Sequence, residues 1–448
     1  MEERKHMFEK TANELYKPFS KELYKAYGVK RGLRNEDETG VMVGLTSIGQ
    51  VIGYNIEDGE KIPTEGCLRY RGYDLQDIVT NCEKENRFGY EEVVYLLLFG
   101  KLPTKDILAK FTDFLGELRA LPYGFAEDMI LKAPSPNIMN KMARSVLAMY
   151  SYDDNPDEIS VENILRQSIE LIARMPVIAS VGYQAKRHYR DGESMYLHVP
   201  QKNLSTAENF LYMLRPDNKY TREEAEMLDV MLMIQAEHGG GNNSAFTTRV
   251  VSSTGTDTYS AIAAAIGSLK GPKHGGANAK VMAMMEDIEA NVSDWTDEDE
   301  VSAYIEKILR KEAFDGAGLI YGMGHAVYTK SDPRCILLKE RAEKLARNNP
   351  EWKKEFDLYT MIERLTPDLF HKVKNNKKVM CANVDMYSGF VNKMLGIAPE
   401  LYTPIFAIAR IAGWCAHRLE ETIGCARIIR PAYKSIVDKG EYIPIDKR

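Results

Sequence analysis

Helical patterning constrains the fold of this chain more than any other feature. Apolar residues recur at the spacing that places them on one side of a helix. The clearest such segments are residues 106–118, 137–150, 160–187, 205–214 and 258–270. Thr221 and Glu224 form a capping box that predicts a further helix, running up to His238. Because helix follows helix in this way from the segment EEVVYLLLFGKLP to the C-terminus, we predict an all-α protein.

One short region carries strand chemistry instead. Residues 40–73 contain VMVGLTSIGQVIGYNIEDGEKI, in which β-branched residues are interrupted by glycine and by the pair Asp58–Gly59. An Asp-Gly pair between two such runs is typical of a tight hairpin turn. Residues 1–35 have the composition of a charged helical arm. We therefore predict a minor β element near the N-terminus of an otherwise helical fold.

The charge balance argues against nucleic acid or an anionic membrane as the main partner. The chain has 59 basic and 65 acidic residues and a formal net charge of -6, so any basic cluster acts locally. No apolar run approaches the ~18 residues that a membrane helix needs. The acidic N-terminal residues do not resemble a secretory signal.

Cysteine usage indicates a reducing compartment. The six cysteines are Cys67, Cys82, Cys335, Cys381, Cys415 and Cys425. None forms a CxxC pair, and they are scattered through apolar or mixed segments, as buried thiols are. We expect a cytoplasmic protein without structural zinc or disulfides.

Two histidines followed by glycine stand close together in the chain. They are His238 in AEHGGGNNSAFT and His274 in KGPKHGGAN. Glycine removes side-chain bulk and permits close approach of a ligand to the backbone, so we predict that both loops line one cleft. A helix predicted to begin near Ala277 places His274 at its N-terminal approach, where the dipole favours a neutral ring.

Three arginines occupy positions that call for an anion. Asp332 and Pro333 are typical of an N-cap and first turn, which places Arg334 where a cation opposes the helix dipole. A bound ligand or a protein carboxylate would each satisfy Arg334. Arg410 lies in PELYTPIFAIARIAGWCAHRLEE, which is apolar around nearly its whole circumference, and a buried guanidinium needs an anionic partner. Arg430 follows in GCARIIRPAY.

A third histidine and an aspartate complete the candidate site. His325 lies in the glycine-rich segment GLIYGMGHAVY, and Asp385 in KKVMCANVDMYSGFV ends an extended segment before a helix. Asp385 is either a catalytic carboxylate or a helix N-cap. The arginines suit a di- or tricarboxylate substrate, with the histidines and Asp385 as acid, base and electrophile. Three histidines and an aspartate are also metal ligands, although no HExxH motif is present.

Several motifs together resemble the citrate synthase family. In chain order they are LRYRGYDL, EEVVYLLLFGKLPT, EHGGGNNSAFTTRV, LKGPKHGGAN, GMGHAVYTKSDPR, NVDMYSG, AIARIAGWCAH and RIIRPAY. Each is moderately specific, and their order and spacing cover nearly the whole chain. The resemblance implies an enzyme that condenses acetyl-CoA with oxaloacetate and hydrolyses citryl-CoA, without a cofactor or metal.

The resemblance also implies a role for each candidate residue. His274 matches the neutral histidine that hydrogen-bonds the acetyl carbonyl, and Asp385 matches the base that removes the methyl proton. His325 matches the residue that polarises the oxaloacetate keto group, and His238 matches a further oxaloacetate ligand. Preorganised donors of this kind stabilise a developing enolate.

The arginines match carboxylate ligands in the same family. Arg334, Arg410 and Arg430 correspond to them, and the family contributes the last from the neighbouring subunit of a homodimer. Thr329 stands where the family often has a basic residue that contacts the CoA phosphates, and Lys330 is the candidate replacement.

The implied fold is an all-helical, two-domain arrangement. The large domain would comprise residues 1–276 and 386–448, and the small domain residues 277–385, with the site in the cleft between them. A 2-methylcitrate synthase using propionyl-CoA shares these catalytic residues and is the close alternative. A catalytically idle helical scaffold is a third reading, which intact His274 and Asp385 disfavour.

Overall fold

The computed structural model describes residues 2–37, 39–376, 378–424 and 427–448. Its internal contacts separate two units, one of residues 46–428 and one of residues 1–45 with 429–448. The larger unit contains the sheet and all the long core helices. The predicted division at residues 277 and 385 concerns packing inside this larger unit and stays a prediction.

The described residues are mainly helical, as predicted. The α-helices are α1 (Glu2–Leu15), α2 (Lys21–Ala26), α3 (Leu75–Lys84), α4 (Tyr90–Phe99), α5 (Lys105–Glu117), α6 (Ile138–Met149), α7 (Val161–Asp191), α8 (Thr206–Leu214), α9 (Arg222–Gln235), α10 (Asn243–Ser252), α11 (Thr258–Leu269), α12 (Ala277–Asn291), α13 (Glu298–Leu309), α14 (Pro333–Ala346), α15 (Pro350–Lys374), α16 (Asp385–Met394) and α17 (Tyr402–Gly424). The all-α prediction is confirmed.

A small sheet provides the minor β element. Its strands are β1 (Gly49–Glu57), β2 (Glu60–Tyr70) and β3 (Tyr73–Asp74), antiparallel in that order. Asp58 and Gly59 join β1 to β2 with φ of 50° and 83°. Two consecutive positive φ angles characterise the type I′ turn, whose twist matches that of the strands it connects. The predicted hairpin is therefore confirmed.

Helix α9 begins as predicted but ends earlier. Thr221 and Glu224 form the capping box, with the Glu224 N–H 3.2 Å from Thr221 Oγ1 and the Thr221 N–H 2.7 Å from the Glu224 carboxylate. The helix stops at Gln235 instead of reaching His238. Glu237 Oε1 accepts the Gly239 N–H at 2.5 Å, and Gly239 has a φ of 80°. His238 therefore lies in a turn that follows α9.

Helix α17 forms the centre of the larger unit. It contacts α4, α7, α9, α10 and α11, and nearly every residue from Tyr402 to Leu419 is buried. This burial confirms the interpretation of its all-round apolar pattern. Polar side chains on α17 therefore depend on protein partners or on a ligand, because water does not reach them.

The helices after residue 276 form a group that leads back to the sheet. Helices α12 to α16 pack mainly on one another, while α14 also contacts α3, α9 and β2. An isolated β-bridge between Met323 and Ala382 joins the loop before α14 to the loop before α16. The loops that carry His325 and Asp385 are therefore paired with each other.

Neither disulfides nor membrane spans occur among the residues that the structure describes. Five cysteines are free thiols: Cys67, Cys82, Cys335, Cys381 and Cys415. Cys425 lies outside the described residues. No helix in the described ranges is long and apolar enough to cross a membrane.

Candidate active site

His238 lies in the turn between α9 and α10 and is buried. Its ring centroid is 5.2 Å from that of His325 and 5.5 Å from that of Tyr328. Burial, followed by the charge of Arg334, lowers the pKa of His238 well below its usual value. Its Nε2 has no hydrogen-bond partner among the described residues. A buried, neutral imidazole with an unused nitrogen is suited to bind a ligand.

A buried network that the sequence analysis missed holds this turn in place. Glu237 Oε1 lies 2.9 Å from His417 Nε2, and His417 Nδ1 lies 2.8 Å from Arg249 Nη2. Because arginine only donates, His417 Nδ1 accepts and its Nε2–H donates to Glu237. Arg249 also forms an ion pair with Glu421 at 2.8 Å. The residue before His238 is thereby tied to α10 and α17.

His274 precedes α12, which begins at Ala277 as predicted. Burial, with a smaller contribution from Arg410, lowers the pKa of His274 to about 4. Its Nε2 lies 3.1 Å from Asn242 Oδ1 and 3.1 Å from Ser244 Oγ. Since Nε2 is engaged by these residues, Nδ1 is the ring nitrogen left for a substrate. The ring is neutral at physiological pH, as the sequence predicts, but desolvation is the main cause.

The backbone determines which nitrogen of His325 is protonated. The N–H groups of Val327 and Tyr328 each lie 3.0 Å from His325 Nδ1. Because Nδ1 accepts from both, a neutral ring carries its proton on Nε2. The ring stacks on Tyr328 with centroids 4.7 Å apart. His325 is thus held as an Nε2–H donor.

Two glycines allow the His325 loop to meet the Asp385 loop. Gly322 and Gly324 have φ of 83° and 87°, a region that other residues rarely adopt. The Gly324 N–H donates to the Cys381 carbonyl at 2.7 Å, and Asn383 Nδ2 donates to the Gly324 carbonyl at 2.8 Å. The histidine and the carboxylate therefore share one rigid support.

Asp385 is not an N-cap. It is the first residue of α16, the cap position belongs to Val384, and the Asp385 N–H donates to Asn383 Oδ1 at 2.9 Å. Burial raises the pKa of Asp385 to about 6, against the opposing effect of Arg334. A carboxylate that does not cap a helix and has a pKa close to neutral pH is suited to accept a proton from a substrate.

Arg410 is a fully buried cation with unused donors. Its Nε donates to the Gln235 carbonyl at 2.6 Å, whereas Nη1 and Nη2 have no partner among the described residues. Burial lowers the pKa of Arg410 to about 10, although Glu237 opposes this shift. The Phe406 ring centroid lies 4.8 Å from the guanidinium. Two unsatisfied N–H groups in a fork are the arrangement that a carboxylate completes.

Arg334 has a protein carboxylate as partner. Its Nε lies 3.0 Å from Asp332 Oδ1 and its Nη2 lies 2.7 Å from Asp332 Oδ2. Asp332 also accepts the Arg334 N–H at 3.0 Å, so it serves as N-cap and counter-ion. Burial alone would lower the pKa of Arg334, but Asp332 outweighs it and raises the pKa. Of the two readings left open by the sequence, the salt bridge is present; ligand binding by Arg334 stays a prediction.

The remaining predicted residues have different surroundings. Arg430 belongs to the smaller unit, where its side chain is exposed, and its role stays a prediction. Thr329 is buried, and its hydroxyl donates to the Gly53 carbonyl of β1. Lys330 is exposed. Thr329 therefore supports the hairpin contact, which leaves Lys330 as the candidate for phosphate contact.

The structure brings most of the predicted site residues into one electrostatic cluster. His238 responds to the charges of Arg334, Arg410, His325 and His274, and Asp385 responds to Arg334 and Arg410. Within the described residues, no group of three or more His, Cys, Asp or Glu side chains is arranged to hold a metal ion.

Sequence reasoning missed the residues that hold His274. Asn242 and Ser244 follow His238 in the same GGGNNS segment, so their small polar side chains were a usable signal. Trp414 Nε1 donates to Ser244 Oγ at 3.0 Å. Nothing local to Trp414 indicates this contact, because its helix is predicted only as buried.

Comparison with known proteins gives one consistent family. A family model described as "Citrate synthase, C-terminal domain" matches residues 33–432. The citrate synthase of Haloferax volcanii is 34% identical over 94% of this chain and 99% of that enzyme. The 2-methylcitrate synthase 1 of Corynebacterium glutamicum is 32% identical over 94% of this chain and 98% of that enzyme.

A solved structure agrees with these relatives. The citrate synthase of Thermoplasma acidophilum, in its ternary complex with carboxymethyl coenzyme A and oxaloacetate, matches with a TM-score of 0.75 and 28% identity. The match covers 93% of this chain and 99% of that one. Sequence, fold and the geometry of the site lead to the same conclusion: this chain belongs to the citrate synthase family of condensing enzymes.

Proposed function

We propose that this chain condenses acetyl-CoA with oxaloacetate and hydrolyses the resulting citryl-CoA to citrate and CoA. The observation that carries the proposal is a pair of groups with opposite pKa shifts beside a buried cation. Asp385, with a pKa raised to about 6, is ionised at neutral pH, and His274, with a pKa lowered to about 4, is neutral. Arg410 adds two unused N–H donors.

Oxaloacetate binds first through its carboxylates. Arg410 Nη1 and Nη2 receive one carboxylate in a forked pair of hydrogen bonds. Arg334 and, from a neighbouring subunit, Arg430 bind the rest of the dianion. His238 contributes its unused Nε2, and the Nε2–H of His325 donates to the keto oxygen. This donation makes the keto carbon more electrophilic.

Proton abstraction from acetyl-CoA follows. Asp385 takes a proton from the methyl group, and the C–H electron pair moves towards the thioester carbonyl oxygen. Nδ1–H of His274 donates to that oxygen as negative charge develops. A neutral donor is appropriate because a cationic imidazolium would lose its proton outright. The carbon of the resulting enolate then lies beside the polarised keto carbon.

Carbon–carbon bond formation and hydrolysis complete the cycle. The enolate carbon attacks the keto carbon of oxaloacetate, the keto C=O electron pair moves to oxygen, and that oxygen takes a proton from His325 Nε2. His325 is then reprotonated from water. Water then attacks the citryl thioester, the C–S bond breaks, and CoA leaves as the thiol. Every step is served by this chain's own side chains, so the proposal includes no cofactor.

The domain and subunit arrangement belongs to the same proposal. Residues 277–385 act as a small domain that closes on the remainder, supported by the packing of α15 on both α13 and α14. Closure would exclude water until condensation is complete. The active form is a homodimer in the cytoplasm, and Lys330 contacts the CoA phosphates.

Release of free thiol tests the proposal directly. Purified protein is incubated with acetyl-CoA and oxaloacetate, and CoA is followed with a thiol reagent. We expect CoA release that requires oxaloacetate. Release that is no faster than the background without enzyme would contradict the proposal.

The second candidate function is 2-methylcitrate synthesis from propionyl-CoA. It is favoured by the similarity to a 2-methylcitrate synthase over 94% of this chain. The values of kcat/KM for the two thioesters, measured under identical conditions, separate the candidates. We expect acetyl-CoA to be preferred; a higher kcat/KM for propionyl-CoA would select the alternative.

A further inference from the structure

Tyr328 lies between three residues to which the proposed function assigns oxaloacetate binding. Its ring centroid is 4.7 Å from that of His325 and 5.5 Å from that of His238. The guanidinium carbon of Arg334 lies 5.5 Å from the same centroid. Only 1% of the Tyr328 surface is exposed. The tyrosine is therefore an interior part of the site, and the proposed function has so far given it no role.

The Tyr328 ring is held in place by its surroundings. Its face stacks on His325, and its main-chain N–H donates to His325 Nδ1 at 3.0 Å. One edge of the ring packs on β2, where a Cβ atom on Gly66 would lie 2.8 Å from Tyr328 Cδ1. These contacts involve the ring and the backbone and do not involve the hydroxyl. The hydroxyl is thus fixed in direction without being used for support.

The Tyr328 hydroxyl is an unused hydrogen-bond donor. Its oxygen is buried and has no partner among the described residues. Burial raises the pKa of Tyr328 well above its usual value, so the group keeps its proton at neutral pH. A buried O–H without an acceptor costs free energy, because folding has removed it from water. An acceptor brought by a ligand would remove that cost.

The polar neighbours of this hydroxyl have other partners. Asp332, Tyr70 and Cys67 all act on the pKa of Tyr328. Both carboxylate oxygens of Asp332 accept from Arg334. The Tyr70 hydroxyl donates to a main-chain carbonyl at the end of α9, and the Cys67 thiol lies 3.2 Å from a carboxylate of β3. The chain therefore supplies groups near the Tyr328 hydroxyl that are already engaged with one another.

The same hydroxyl interacts with both buried arginines of the site. Burial acts to lower the pKa of Arg334, but Asp332 and then Tyr328 raise it. Burial also lowers the pKa of Arg410, and Tyr328 is among the groups that oppose this shift. Arg410 has two further unused donors, Nη1 and Nη2. A carboxylate that reaches these arginines therefore brings its oxygens into the neighbourhood of the Tyr328 hydroxyl.

We propose that Tyr328 binds oxaloacetate directly, with its hydroxyl donating to a carboxylate oxygen near Arg334 and Arg410. The inference rests on the proposed function, which supplies the dicarboxylate. A neutral donor suits this position, because it adds a hydrogen bond without adding a third positive charge beside two arginines. The structure thereby assigns a substrate-binding residue in addition to the histidines and arginines.

This contact affects binding and not the chemical step. The carboxylate that accepts from Tyr328 keeps its charge throughout condensation, so the hydrogen bond has the same strength in the bound substrate and in the transition state. An interaction of this kind lowers KM and leaves kcat unchanged. Loss of the hydroxyl should therefore weaken oxaloacetate binding alone.

Tyr328→Phe tests the role of the hydroxyl, because it keeps the ring and its packing. Oxaloacetate binding is measured by isothermal titration calorimetry, which does not depend on turnover. We expect the Kd and KM for oxaloacetate to rise about tenfold or more, the factor for one lost hydrogen bond to a charged group. The values of kcat and of KM for acetyl-CoA should stay at those of the wild type. Since the hydroxyl has no protein partner, the Tm of the unliganded variant should not fall.

Tyr259→Phe is the matched control. Tyr259 is also buried, but its hydroxyl donates to Asp153 Oδ2 at 2.7 Å, outside the site. Its removal leaves a protein acceptor without its donor. We expect the Tm to fall in this variant and the Kd for oxaloacetate to stay unchanged, the reverse of the result for Tyr328→Phe.

The possible results separate this inference from the proposed function. An unchanged Kd for oxaloacetate in Tyr328→Phe would overturn the inference, and so would an equal rise of Kd in Tyr259→Phe. A fall of kcat at unchanged KM would also contradict it, because the hydroxyl would then serve the chemical step. A wild-type protein that binds oxaloacetate but does not release CoA from acetyl-CoA would instead overturn the proposed function.

Discussion

At the scale of single residues, burial acts in opposite directions on the two groups that handle the methyl proton. It raises the pKa of Asp385 to about 6 and lowers that of His274 to about 4. Desolvation disfavours the charged form of each, which is the carboxylate for one and the imidazolium for the other. Above about pH 6, the site therefore holds an ionised base and a neutral donor together.

The pKa of Asp385 predicts an acid limb in the pH–rate profile. The base works as a carboxylate, so kcat should fall as the pH drops through about 6 and Asp385 takes up a proton. His274, with a pKa of about 4, should contribute no limb above pH 5. The measurement is kcat from pH 5 to 8 at saturating substrates. A profile that stays flat down to pH 5 would contradict the assignment of the base.

Replacing Arg410 should weaken oxaloacetate binding without lowering the thermal stability of the protein. Replacing it by methionine (Arg410→Met) removes a buried guanidinium whose Nη1 and Nη2 have no partner among the described residues. A well-packed apolar residue in place of a buried charge is often neutral or stabilising. We expect the Tm of unliganded Arg410→Met to equal or exceed that of the wild type. Oxaloacetate should raise the Tm of the wild type but not that of the variant. An undiminished ligand-induced rise in Arg410→Met would exclude Arg410 from the site.

At the scale of elements, two glycines bring the hairpin against the loop that follows His325. A Cβ atom on Gly53 would overlap the Val327 carbonyl oxygen and lie 2.6 Å from Tyr328 Cα. A Cβ atom on Gly66 would overlap the Ser331 carbonyl oxygen. These are backbone contacts, so rotation of a side chain does not relieve them. The hairpin is therefore part of the support for His325.

Gly66→Ala tests this support. The added methyl group should push β2 away from Ser331 and from Pro333, whose Cδ would lie 2.9 Å from the new Cβ. We expect lower kcat and weaker oxaloacetate binding, both measured by steady-state kinetics. Gly267→Ala in α11 is the control, because a Cβ there meets nothing within 4 Å and alanine favours a helix. Equal activity of the two variants would show that the hairpin does not support the site.

Local signals predict element boundaries well in this chain. α9 begins after Thr221 and α12 begins at Ala277, as their caps and glycines indicate, because capping acts within one helical turn. The early end of α9 was not predictable in this way. The Tyr70 hydroxyl, from β2, donates to the Met233 carbonyl at 3.0 Å and helps to hold that end. A contact across 163 residues leaves no local signal.

The residue types of the site were predictable from the sequence. The hydrogen-bond and ion-pair partners of these residues were less predictable. The neutral state of His274 follows from its position before a helix, and the structure adds desolvation as the larger cause. For Arg334, the sequence does not distinguish a ligand from Asp332 as partner, because an N-cap side chain can also turn to the guanidinium. The contact of Trp414 with Ser244 depends on packing between α17 and α10, which periodicity does not specify.

At the scale of the whole molecule, the proposed homodimer predicts complementation between two inactive variants. If Arg430 serves the neighbouring subunit's site, Arg430→Ala and Asp385→Ala each inactivate both sites of their own dimer. A mixed dimer then combines the two defects in one site and leaves the other site intact. Refolding the variants together should restore activity, which is measured as CoA release after isolation of the mixed species. No recovery in a mixed dimer would contradict a role for Arg430 across the interface.

The most direct test of condensation at this site follows carbon from thioester to product. Acetyl-CoA labelled with 13C in its methyl group is incubated with oxaloacetate and either the wild-type protein or Asp385→Ala, and the products are identified by mass spectrometry. We predict labelled citrate in amounts equal to the CoA released by the wild type. For Asp385→Ala we predict a loss of about 100-fold or more, in line with removal of a general base, with oxaloacetate binding retained. Labelled citrate at the wild-type rate from Asp385→Ala, or none from the wild type, would contradict the account.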